Sequence, residues 1–130
     1  MKAFTKYWSL LQYIVNAAVF LKTPVVIPKD LAYVSMPYDW WVEKIRWVVA
    51  KHPHKWTEDV YDCDKFSFRM VAKIAEFKVN GIGILIGRGL GTAHVWNIVS
   101  TSDKGLFQLE PQTGEMFKHK KGYRPFVAIL

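Results

Sequence analysis

Residues 94–110 read HVWNIVSTSDKGLFQLE, and this stretch decides the architecture. His94–Ser100 and Leu106–Glu110 alternate at period two across Thr101-Ser102-Asp103-Lys104-Gly105, which predicts a β-hairpin. A pairing in which facing residue numbers sum to 204 sets His94 opposite Glu110, Trp96 opposite Gln108 and Ile98 opposite Leu106, with five residues in the turn. Directly opposed side chains have Cβ atoms about 4.5–5.5 Å apart, so the carboxylate can reach the imidazole.

Working outward, Ile82–Ile86 is a short apolar run bounded by glycines and reads as a buried strand; Phe126–Leu130 reads as another. Gly87-Arg88-Gly89-Leu90-Gly91 between strands reads as a loop. It is no phosphate loop: Ile86 stands where a dinucleotide fingerprint needs its third glycine, Gly-Lys-Ser/Thr is absent, and a strand follows rather than a helix. Upstream, apolar residues at helical spacing predict helices over 5–21, 39–50 and about 62–78, with Val25–Ile27 as a short extended piece. Thr23-Pro24 ends the first helix. In the third, Cys63, Phe66, Met70, Ile74 and Phe77 form one stripe. The expected fold is α+β over a single domain, 1–130, with an N-terminal helical layer (about 1–80) packed on a C-terminal antiparallel sheet (about 81–130).

Half of the 130 residues are apolar (51%) and six Trp, six Tyr and eight Phe are among them, which excludes intrinsic disorder. One cysteine excludes an internal disulfide and a cysteine-based zinc cluster. His52 and His54 flank Pro53 with no acid or cysteine at ligand spacing, a helix-ending loop rather than a metal site. The net charge of +7 fits either simple solubility or a polyanionic partner such as nucleic acid. Lys118, Lys120 and Lys121 around His119 form the densest basic run, a weak nucleic-acid signal that a solvated loop explains equally. No run reaches the 18 apolar residues of a membrane span. Ser9, Gln12 and Asn16 interrupt the apolar segment after Lys6, so no cleavable signal is expected and the chain reads as soluble and intracellular.

Asp62 stands where it would cap the third helix, which makes Cys63 the first helical residue. The helix dipole and unpaired N–H groups there favour thiolate, whereas the flanking carboxylates of Asp62 and Asp64 disfavour it. Cys63 is equally read as an inert member of the apolar stripe, His94 as a satisfied hairpin histidine, and Glu110 as a strand-end acid.

Three motifs in order carry a family resemblance: Tyr61-Asp62-Cys63-Asp64-x-Phe66, Gly91-x-Ala93-His94-x-x-Asn97 and Leu109-Glu110-Pro111-Gln112-Thr113-Gly114. Together they resemble the papain-like cysteine peptidase domain at the C-terminus of the Marasmius oreades lectin, and similar small bacteriophage proteins. The resemblance covers about residues 56–114. It implies a cysteine hydrolase, a peptidase or amidase acting on a peptide or protein substrate. In that reading Cys63 is the nucleophile, His94 the base and Glu110 the acid that orients it, with Trp56 and Gln112 in the oxyanion and active-site wall. It requires no cofactor but admits Ca²⁺ at Asp62 and Asp64, although Lys65 stands where the family often has a third acid. Acyl transfer to an amine would use the same triad. The alternative of a different class is a non-catalytic binding module, viral or structural, whose basic surface takes a polyanionic partner. Asn97 falls on the strand face opposite His94 and is assigned a structural hydrogen bond.

Overall fold

In the computed structural model of the chain, the described residues are 6–23, 25–28, 30, 32–52, 55, 57, 62–89 and 91–130. Residues 6–9, expected as the start of a helix, form strand β1 (Lys6–Ser9), paired antiparallel with β3 (Ala32–Ser35). Ser9 ends the strand by capping α1 (Leu10–Leu21), its hydroxyl accepting from the Gln12 N–H at 3.2 Å. The helix stops at Lys22, which takes a left-handed conformation and sends its N–H to the Ala18 carbonyl. Then follow β2 (Val25–Ile27), α2 (Tyr38–Ala50), α3 (Cys63–Ala75), β4 (Ile82–Gly89), β5 (Thr92–Thr101), β6 (Gly105–Glu110), β7 (Glu115–Phe117) and β8 (Arg124–Ile129).

The main sheet has six strands in the order β2-β8-β4-β5-β6-β7. β2 pairs parallel with β8, Val26 facing Ala128, while the other pairings are antiparallel. This corrects the expected fold. The N-terminal part is not a purely helical layer, because the β-branched run Val25-Val26-Ile27 supplies an edge strand and two further strands form a small second sheet. The main sheet is mixed, not antiparallel throughout. Gly87–Gly89 is strand rather than loop, so the glycine run is the end of β4.

Helices cover both faces of the sheet. On one, Tyr13, Ala17 and Leu21 of α1 bury against Leu85, Trp96, Ile98, Leu106 and Ala128. On the other, Trp41, Ile45 and Val48 of α2 and Met70 and Ile74 of α3 bury against Ile82, Val99 and Leu109. Polar ties fix the helices: Trp41 Nε1 donates to the Ser100 carbonyl at 3.0 Å, and Arg69 of α3 donates to Val48 O (3.1 Å) and Lys51 O (3.3 Å), satisfying carbonyls at the end of α2. Among the described residues, no helix is long and apolar enough to cross a membrane.

Candidate functional site

The hairpin forms with a different register. Asn97 faces Leu109, Ile98 faces Gln108 and Ser100 faces Leu106, so facing numbers sum to 206 and only three residues, Ser102–Lys104, make the turn. Gly105 takes φ +76, the left-handed conformation that closes such a short turn. A shift of two leaves every side chain on its own face. His94 and Glu110 therefore still meet, diagonally instead of head-on, with Nε2 to Oε2 at 2.6 Å and both side chains buried. Trp96 reaches Gln108 the same way, its Nε1 donating to Oε1 at 2.9 Å.

Glu110 is further held by the Tyr123 hydroxyl, which donates to Oε2 at 3.1 Å, and by the Gln112 N–H, which donates to Oε1 at 3.3 Å. Burial, with the adjacent Glu110 charge, pushes the Tyr123 phenol well above the usual tyrosine range. The His94 ring stacks on Trp96 at 5.6 Å and meets Tyr123 edge-on at 5.9 Å. Gly89 gives it room: a Cβ there would lie 2.8 Å from His94 Cδ2.

Cys63 does open α3, and it is a partly buried free thiol, but it does not join this network. α3 packs on the face of β5 that carries Asn97, whose Nδ2 donates to Ser67 O (3.2 Å) and Gly83 O (2.9 Å). His94 stacks on Trp96 in the cluster on the opposite, α1 face. Among the described residues, no hydrogen bond connects Cys63 to His94. Gln112 enters only through its backbone N–H. Trp56 and His54 lie outside the described residues. His52 stacks on Phe66 at 4.4 Å.

Asp62 sits at the N-cap position without a side-chain cap bond. Its carboxyl shares a hydrogen bond with Asp64, which holds Asp62 above and Asp64 below the usual carboxylate range. Asp64 also accepts from Lys65 Nζ and from the Lys65 N–H, each at 2.9 Å. Two carboxylates, one of them neutralised by a lysine, are a poor donor set for Ca²⁺, which takes six to eight oxygens. Among the described residues, no group of three or more His, Cys, Asp or Glu is placed to hold a metal.

A broad concavity lies on α2 and the chain just past α3. It is a groove of about 960 Å³ edged by Trp47 and Phe77, with Asp39, Glu43, Lys44, Arg46 and Glu76 around the rings. Trp47 is 46% exposed and Phe77 37%. Phe77 meets Trp47 edge-on at 6.0 Å and Trp40 at 5.9 Å, and Lys44 Nζ sits 5.1 Å over the Phe77 ring. A second hollow of about 430 Å³ adjoins it, sharing Lys44 and Phe77 and floored by Trp40. In the sequence, the only signal for this groove is the stripe Trp40, Lys44, Trp47 at spacings of four and three along one helix face.

Comparison with known proteins places this geometry. The family model described as Agglutinin C-terminal matches residues 40–116, more than half the chain. Two solved structures share its fold. One, solved as the "PSL1a-E64 complex", gives a TM-score of 0.75 at 18% identity, covering 95% of this chain and 50% of that one. The other, Polyporus squamosus lectin bound to the human-type influenza-binding epitope Neu5Acα2-6Galβ1-4GlcNAc, gives 0.72 at 16% identity, covering 97% and 49%. The chain thus spans about half the length of these structures. No curated protein matches. These findings overturn the assignment to papain-like cysteine peptidases, and with it the hydrolase function, the viral cysteine-protease reading and the peptide substrate. One of the matching structures is a lectin solved with a glycan. The chain belongs to the Agglutinin C-terminal family.

Proposed function

We infer that the chain is a non-catalytic glycan-binding module whose receptive surface is the groove edged by Trp47 and Phe77. The observation that carries this reading is the exposed pair of rings at the rim of a 960 Å³ groove, with carboxylates and cations on either side. Sugars present both kinds of surface at once. Their C–H faces pack on aromatic rings, and their vicinal hydroxyls both donate and accept, matching Asp39, Glu43 and Glu76 as acceptors and Lys44 and Arg46 as donors. A few convergent polar groups in an apolar concavity are the usual composition of a small-molecule site. Membership of an agglutinin family and the glycan held by one of the similar lectins support the same class of ligand.

Calorimetric titration with a panel of neutral and sialylated oligosaccharides tests it. Saturable binding of at least one glycan is expected, weakened at least tenfold by Trp47→Ala and unchanged by Cys63→Ala. Absence of binding across the panel, or binding indifferent to Trp47→Ala, would refute the assignment to this groove.

A further inference from the structure

The basic run near the C-terminus has no part in the groove, and its side chains divide by role. Lys118 Nζ donates to Lys104 O at 2.7 Å and Leu106 O at 2.6 Å, tying down the hairpin turn. Lys120 Nζ pairs with Glu115 at 2.7 Å. His119 instead lines a cavity of about 400 Å³ together with Lys22 at the end of α1 and Arg124 on β8, and Tyr123 and Phe126 contribute ring walls.

This cavity has three basic side chains and no carboxylate in its lining. Its other polar groups are already engaged. Gln108 accepts from Trp96 Nε1 and donates to Lys118 O, and the Tyr123 hydroxyl donates to Glu110. Among the described residues Arg124 has no ion-pair partner, and its guanidinium lies 5.7 Å from the centroid of the Phe126 ring. Lys22 holds φ +53, a left-handed conformation at a helix end where glycine is usual. The helix dipole accounts for a cation there but not for the strain.

The geometry points to a binding site for a small molecule that carries a carboxylate, sulfate or phosphate on an apolar or ring-shaped body. The anion would sit among Lys22, His119 and Arg124, with the body against Tyr123 and Phe126. The site belongs to the α1 side of the sheet and does not depend on the glycan groove, which belongs to the α2–α3 side.

The test titrates the protein with inorganic phosphate, phenyl phosphate and benzoate at fixed pH and ionic strength, following the ring resonances of His119 and Tyr123. Saturable shifts are expected, with phenyl phosphate tighter than inorganic phosphate. Comparison of benzoate with phenyl phosphate tells which anion is preferred. Arg124→Gln and Lys22→Gln should each weaken binding at least tenfold, and Lys65→Gln on α3 should leave it unchanged. Lys22→Gly relieves the backbone, so it should melt no lower than the natural protein while losing the ligand to the same degree. Shifts that rise linearly without saturating, or affinities equal in Arg124→Gln and the natural protein, would overturn the site as mere screening of surface charge. Equal affinity for inorganic and phenyl phosphate would overturn the assignment of an apolar body.

Discussion

Glu110 is a buried carboxyl held from three directions, by the His94 ring, the Tyr123 hydroxyl and the Gln112 N–H. Glu110→Ala strips all three of their partner, and leaving such buried donors unsatisfied costs about 1–3 kcal/mol each at most. A loss of stability of about 2–4 kcal/mol in denaturant unfolding is therefore expected for Glu110→Ala, with His94→Ala costing less. Cys63 stands apart from this network, so its alkylation rate should be the same in His94→Ala as in the natural protein. The single thiol makes intact mass an unambiguous readout; slowing of tenfold or more in His94→Ala would instead couple the two side chains and reopen a role for the thiol. The sequence made His94 and Glu110 legible as a pair, because strand parity alone places them on one face. It left Cys63 open, since the face on which a helix docks is decided by packing between segments 30 residues apart in sequence, such as Ser67 against Asn97.

At the level of elements, the hairpin shows how a correct face survives a wrong register. Five turn residues and three are both ordinary loop lengths, and Gly105 selects the shorter one by accepting φ +76. Gly105→Ala should cost about 1–2 kcal/mol, the penalty for a side chain in the left-handed region, read as a shift of the urea midpoint without a change of slope. Lys118→Ala should add to the loss at the same turn, because its ammonium satisfies two carbonyls there. The first helix illustrates the opposite outcome. Its periodicity extends back through Trp8, but pairing with β3 captures Lys6–Ser9 as a strand and leaves Ser9 as the cap. Helical spacing cannot announce a strand partner that lies beyond a helix, and Ala32–Ser35 is such a partner.

For the whole molecule, two phenols link stability to alkaline pH. Burial raises Tyr13 well above its usual range, and burial beside Glu110 does the same for Tyr123. The unfolded chain releases these protons near pH 10, the folded chain only well above it. Their contribution is thus constant below about pH 10 and falls as pH rises beyond it, because ionisation then favours the unfolded state. Chemical denaturation at successive pH values from 8 to 11 should show that decline, and Tyr123→Phe should flatten part of it. The groove is a property of this scale too. Trp47 and Phe77 are ordinary apolar residues in their own segments, and they become a surface only because α2 and the turn just past α3 lie side by side while the sheet takes Trp41, Ile45 and Met70.

By itself the sequence determined which runs become helices α2 and α3, where β5 and β6 turn back on each other, and that His94 and Glu110 share a face. These follow from local periodicity and from turn chemistry, which act over a few residues. Only the tertiary structure decided that Val25–Ile27 joins β8 in parallel, that α3 packs on the sheet face that carries Asn97, and that Lys22, His119 and Arg124 meet around one cavity. Each of those is a contact between segments far apart in the chain. What selects such contacts is the apolar surface buried when whole elements pack, a quantity no local pattern contains.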